Sequence, residues 1–245
     1  MKKILLGCLL LLSACQSATP TPIAPLFPSE TPLPTPIPVT DTPGPTSTPE
    51  RTATPFPQFF INEFDASLAG WVILQAGNEA APSIKTESSR LLLQMDAAYS
   101  WVYVLYGAQD YDNVHVNTKF NNNALTPASA GLVCNYSETD GWLEFNVTSD
   151  GMYNVLFGKW LSNGVADYLP ILDGSSNEIQ QSGMEQQIGL TCSSGTLGLY
   201  INEKLIRNVD VSRYERASGK VGISASSYEN VPVIASFDWV TVSTP

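Results

Sequence analysis

The sequence predicts an all-β domain of two stacked antiparallel sheets, carried behind an extended proline-rich arm. Three observations carry that expectation. After Phe59, short runs rich in Val, Ile, Tyr, Phe and Trp recur, with apolar and polar residues frequently alternating. The turn signals NNN, TDG, SDG, SNG, DGSS and SSG separate these runs, about ten residues apart, the rhythm of a β-sandwich. No window of about eleven residues or more keeps the i, i+3, i+4 apolar spacing of a helix.

In chain order, the first element is a leader. Lys2 and Lys3 precede an apolar stretch, Ile4 to Leu12, that is too short to span a bilayer. Leu12-Ser13-Ala14-Cys15 then reads as a lipobox, which makes residues 1–14 a lipoprotein signal and Cys15 the lipidation site. Leu6-Gly7-Cys8 mimics the box, but almost no apolar stretch precedes it; the plainer alternative is a secretory signal with a chance cysteine. Two or more acyl chains anchor a protein stably where one does not. Residues 15–57 follow as a linker. Between Gln16 and Pro57 lie thirteen of the chain's eighteen prolines and ten threonines. Such Thr-Pro repeats favour polyproline II, build no core, and predict a disordered spacer.

The mature net charge moves from −11 to −13 once Lys2 and Lys3 leave with the leader. An acidic chain without a basic cluster is a poor match for nucleic acid and is repelled by anionic lipid, so membrane contact is expected through the lipid alone. With Cys8 removed and Cys15 lipidated, Cys134 and Cys192 remain. In an exported protein they pair as a disulfide or stay as two buried thiols, and the compartment favours the bridge. It would close a loop of just under sixty residues, an effect of about 4 kcal/mol.

The domain is expected over residues 58–245. Its strands are read at RLLLQM (90–95), WVYVLY (101–106), NVHVNTKF (113–120), AGLVCNY (130–136), WLEFNVT (142–148), MYNVLFGKW (152–160), QQIGLTC (186–192), LGLYIN (197–202), KVGISAS (220–226) and VIASFDWVTV (233–242). About 190 residues are ample for a core between two sheets.

Five stretches carry a family resemblance: FINEFDASLAGW (60–71), GLVCNYSETDGWLEFNVTSDGMYNV (131–155), IGLTCSSGTLGLYINEKLI (188–206), GKVGISAS (219–226) and ASFDWVTV (235–242). In order and spacing the chain resembles the concanavalin A-like lectin/glucanase superfamily, in particular laminin-G-like domains and the 3-keto-disaccharide hydrolase domain family. The resemblance implies a jelly-roll β-sandwich with a ligand groove on the concave sheet. Two departures stand out. Asn202-Glu203 occupies a hairpin where the family has Asn-Gly, and the glycosidase strand motif Glu-x-Asp-x-(x)-Glu is not matched by Glu138, Asp140 and Glu144.

Catalytic chemistry finds little support. A retaining glycosidase needs two carboxyl groups about 5 Å apart, yet Asp140-Gly141 is a hairpin signal that makes Glu138 and Asp140 turn residues. His115, the single histidine, falls on the polar side of an alternating strand. No metal or cofactor is expected; calcium at Asp110 and Asp112 is the one possibility weighed, against an ordinary solvated loop.

The more informative pattern is aromatic. Leu143, Phe145 and Val147 are expected in the core, which turns Trp142, Glu144 and Asn146 to an outward face. Neighbouring strands add Asn135, with Leu132, Cys134 and Tyr136 inward, and Asn154 and Trp160, with Tyr153, Val155 and Phe157 inward. Aromatic faces with adjacent amides and carboxylates bind sugars, although Trp142 and Trp160 would also serve as plain cover for the sheet. The reading is a monomeric, cell-surface, non-catalytic binding module for polysaccharide or surface glycan. Its alternatives are a glycoside hydrolase or lyase of the keto-disaccharide type and a structural envelope lipoprotein.

Overall fold

A computed structural model of the chain describes residues 55–122, 127–181, 183–214 and 218–245. The leader, Cys15 and the linker up to residue 54 lie outside the described residues. Among these, the strands are β1 Phe60–Asn62, β2 Trp71–Gly77, β3 Ser83–Thr86, β4 Leu91–Met95, β5 Ser100–Tyr111, β6 Val114–Asn122, β7 Ala128–Ser137, β8 Gly141–Thr148, β9 Met152–Ser162, β10 Val165–Ser175, β11 Glu185–Ser193, β12 Thr196–Ile201, β13 Lys204–Asp210, β14 Gly219–Ser227 and β15 Val233–Ser243. Their helical complement is one 3₁₀ turn, Ser212–Tyr214.

All strand pairings are antiparallel, and they form two sheets. One has eight strands in the order β13-β12-β11-β6-β15-β4-β3, with β1 alongside the C-terminal half of β15. The other has seven, in the order β10-β9-β8-β7-β14-β5-β2. Alternation decides what fills the space between them. From the seven-stranded sheet come Leu132, Leu143, Phe145, Val155 and Ile223; from the eight-stranded sheet come Val116, Leu190, Leu199 and Phe237. Each such burial stabilises the fold by about 1.5–3 kcal/mol. Cys134 on β7 and Cys192 on β11 form a disulfide that joins the two sheets.

Packing onto the domain begins before β1. The Phe56 ring sits edge-on to Tyr106. Tyr106 donates its hydroxyl to the Pro57 carbonyl at 2.8 Å, and Tyr111 donates to the Gln58 carbonyl at 2.5 Å. Phe60 lies 4.4 Å from the Tyr106 ring, and Trp71 abuts Phe60, Phe64 and Tyr106. An aromatic seat thus receives the last residues of the proline-rich segment.

The β12–β13 hairpin makes its tight turn without a glycine. Asn202 and Glu203 both have positive φ, 47° and 66°, as a type I′ turn requires. Asn202 suits that conformation, and its side chain adds two bonds: it accepts from the Gln187 N–H and donates to the Glu178 carbonyl. Glu203 has no such compensation and carries the backbone strain.

Candidate functional site

The seven-stranded sheet has a second buried cluster on the face turned away from the sandwich core. It comprises Ala76, Tyr103, Leu105, Val133, Tyr136 and Trp142, with Leu74, Trp101, Trp160, Ala166 and Tyr168 packed against it. β8 is buried along its whole length because both of its faces are covered. Trp142, Glu144 and Asn146 do share one face, but that face is not open to solvent: Trp142 and Glu144 are each 1% exposed. The outward exposure expected of them is corrected by what covers them.

The cover comes from the edges of the same sheet. β2 and β10 are its two outermost strands, at opposite ends of the hydrogen-bonded order, yet Gly77 at the end of β2 donates its N–H to the carbonyl of Gly164, just before β10, at 3.1 Å. The sheet therefore curls until its margins meet. Trp101 of β5 stacks on Tyr168 of β10, with ring centres 5.6 Å apart and planes 29° apart. The Tyr103 and Tyr168 hydroxyls are hydrogen-bonded at 2.6 Å.

Beneath this roof Glu144 is held by donors. Ser224 Oγ donates to Oε1 at 2.8 Å, and Trp142 Nε1 and the Tyr103 hydroxyl approach Oε2 at 3.2 and 3.3 Å. Asn146 donates to Asn154 Oδ1 at 3.3 Å. Burial raises the Glu144 pKa, and the hydrogen bonds from Ser224, Trp142, Asn146 and Tyr103 work against that rise. Burial, followed by the field of Glu144, pushes Tyr103 well above its usual value, so it stays a donor; burial does the same to Tyr168. Two glycines make room for the arrangement. A Cβ at Gly158 would run into the Trp142 indole, and one at Gly131 into Asn146 and Ser224. These strand glycines were the signal in the sequence that large side chains lie across the central strands.

The neighbouring positions divide. Asn154 and Trp160 lie on the groove face as expected, with Tyr153, Val155 and Phe157 toward the core. Asn135 does not join them. It adopts φ 53° at a bulge between Cys134 and Ser137. That extra residue reverses the alternation beyond it. Tyr136, expected inward, turns to the groove face, where its hydroxyl accepts a hydrogen bond from Trp160 Nε1 at 3.0 Å. Asn135 instead lines a separate hollow near the disulfide, and its Oδ1 is buried without a partner.

What stays open is one end of the groove, about 1170 Å³. Val72, Ile73 and Leu74 of β2 line one side and Trp160 and Leu161 the other, with Tyr136 also in the lining. Val72, Ile73, Leu161 and Val165 form exposed apolar lips around it. Glu79, Asp110, Glu138 and Lys220 are its ionisable lining.

The arrangement is poor in acid–base equipment. Glu144 is the one buried carboxylate among the described residues, and its oxygens are occupied. Glu138 and Asp140 are exposed residues of the β7–β8 turn. His115 sits on the eight-stranded sheet, its Nδ1 2.8 Å from Thr191 Oγ1 and its ring edge-on to Tyr200, and burial lowers its pKa. Asp110 pairs with Lys220 at 3.1 Å, whereas Asp112 lines the hollow near the disulfide, so the two do not share a site. Among the described residues no group of three or more His, Cys, Asp or Glu is placed to hold a metal ion.

No family model matches the chain, and no curated protein matches it. Solved structures do match. A Bacillus licheniformis β-glucanase superposes with a TM-score of 0.53 at 12% identity, covering 76% of this chain and 98% of its own. The carbohydrate-binding module CBM66 from Bacillus subtilis gives 0.51 at 11% identity, covering 71% and 96%. The carbohydrate recognition domain of Emp46p, in its metal-free form, gives 0.51 at 12%, covering 74% and 93%. The domain is a concanavalin A-like jelly roll. At such identities the likeness speaks for the fold alone. Within that jelly roll, the seven-stranded sheet bears the groove, and here its margins close over the middle.

Proposed function

We propose that this chain is a lipid-anchored, non-catalytic binding domain for extracellular carbohydrate, held at the bacterial cell surface by Cys15 and the proline-rich linker. The observation that carries the binding reading is the open end of the groove, where a half-buried Trp160 and the adjacent Tyr136 line a cleft with polar groups at its rim. A sugar ring stacks its apolar face on such an aromatic wall while rim groups take its hydroxyls. Glycan-acting and glycan-binding proteins share the fold, which supports the same class of ligand. The sealed Glu144 and the separation of the remaining carboxylates from it support binding without bond cleavage.

The residue assigned to the ligand is Trp160 at the wall; Asn154, six residues back along β9 and bonded to Asn146, does not line the open cleft and is given no contact. Trp142, Glu144 and Asn146 act as the supporting layer beneath, while Asn135 is given no contact. Glycan-array binding by the full chain, lost in Trp160→Ala and retained in His115→Ala on the opposite sheet, tests the assignment. Product release from 3-keto-glycosides by the unmodified chain would overturn the non-catalytic reading. Intact mass of the mature protein tests the anchor: a diacylated, N-acylated cysteine at its start is expected, and an unmodified thiol there would sink it.

A further inference from the structure

We infer that the groove takes the terminal unit of an uncharged glycan end-on, and not an internal stretch of chain. This rests on the carbohydrate reading above and specifies which ligands it admits.

The first argument is geometric. A groove that reads internal segments must be open at both ends, so that chain leaves on either side. Here the middle of the sheet is plugged. Tyr103 and Trp142 are each 1% exposed. Trp101 and Tyr168 stack above them, and the Gly77–Gly164 backbone bond ties the two sheet margins together. Trp160 belongs to both regions: its ring packs 5.1 Å from Trp142 on the plugged side and lines the open cleft on the other. A ring stacked on Trp160 therefore has the plug in front of it, and further units can extend only toward solvent.

The second argument is electrostatic. The ionisable groups lining the cleft are Glu79, Asp110, Glu138 and Lys220. Lys220 is already engaged, at 3.1 Å from Asp110 and 3.2 Å from the Gly107 carbonyl. Among the described residues, Glu79 and Glu138 are left without a cation, on a chain whose formal net charge is −11. A uronate or sulfated sugar would meet repulsion there and find no free basic partner among the described residues. An uncharged sugar meets an apolar wall and acceptors for its hydroxyls.

The test uses the full chain and an array of linear neutral gluco-, manno-, galacto- and fructo-oligosaccharides of increasing length, the matching uronates, and cyclic glucans, which have no terminus. For any linear series that binds, affinity per molecule is expected to level off after about two or three units. Uronates should bind at least about tenfold more weakly, and cyclic glucans of the same sugar not at all. Affinity that keeps climbing with length, or cyclic glucans binding as well as linear ones, would overturn end-on recognition while leaving carbohydrate binding intact. Preference for uronates would overturn the charge argument. Silence across the whole array would overturn the carbohydrate reading itself. Tyr168→Ala removes the roof and should let cyclic glucans in; the comparison of cyclic with linear ligands on the unmodified protein decides the matter even if that variant does not fold.

Discussion

The two faces of β8 are both buried, but by different chemistry. Leu143, Phe145 and Val147 enter a core of aliphatic and aromatic side chains between the sheets. Trp142, Glu144 and Asn146, one residue out of step, enter a layer where indole, carboxylate, amide and hydroxyl groups are bonded to one another. The first layer is stabilised by area removed from water, which is non-directional and tolerates swaps of similar volume. The second depends on each donor meeting its acceptor, so a small displacement leaves a buried polar group unpaired. Small changes should therefore be costly on the groove face and mild on the core face, while large deletions are costly on both.

The largest expected effect is on the core face: Phe145→Ala should destabilise the domain by about 3–5 kcal/mol, read by denaturant unfolding, through lost burial and the cavity left behind. Gly158→Ala adds a single methyl on the groove face, yet should cost about 3 kcal/mol because it drives into the Trp142 indole. A loss under about 1 kcal/mol there would mean that the indole is free to shift and that the layer is not rigid. The Ile223→Val change between the sheets, also one methyl, should cost only about 1 kcal/mol.

Glu144 sharpens the comparison through pH. Burial holds its folded pKa above the unfolded value, near 4.5, so the folded chain binds this proton more tightly than the unfolded chain does. Stability from this group falls as pH rises from about 4.5 to the raised folded value and is level above it. Glu144→Gln removes that slope. Its stability relative to the parent should improve with rising pH across the window, as followed by urea unfolding at successive pH values; parallel profiles would show that Glu144 is not buried as described. Glu185, on the solvent side of the other sheet, has the opposite sign. Lys119 and Arg90 lower its pKa, so its contribution is lost as pH falls through the lowered value, and its exposure keeps that small.

The smallest effect expected lies off both faces. Glu203→Gly should stabilise the β12–β13 hairpin by up to about 1 kcal/mol, read as a raised unfolding midpoint, because glycine accepts φ 66° without steric cost.

Much of this architecture was legible in the residue pattern. The alternation in WLEFNVT separated the two faces of β8, and the same rule placed Asn154 and Trp160 beside them. Asn135 and Tyr136 were misplaced for one reason: a single residue in the left-handed conformation shifts the register, and period-two reasoning has no way to see it. The seat for Phe56 and Pro57 was also hidden, since those residues look like the rest of the proline-rich run until Tyr106 and Tyr111 are brought beside them.

By itself, the order of residues determined the class of fold and the inward residues of β8 and β9, because side-chain period is a local property of the chain; it favoured a Cys134–Cys192 bridge over two free thiols, and the structure made the choice. Whether Trp142 and Glu144 meet solvent was decided only in three dimensions. That outcome depends on how far a seven-stranded sheet curls before Gly77 reaches Gly164, a sum of small twists over strands far apart in sequence.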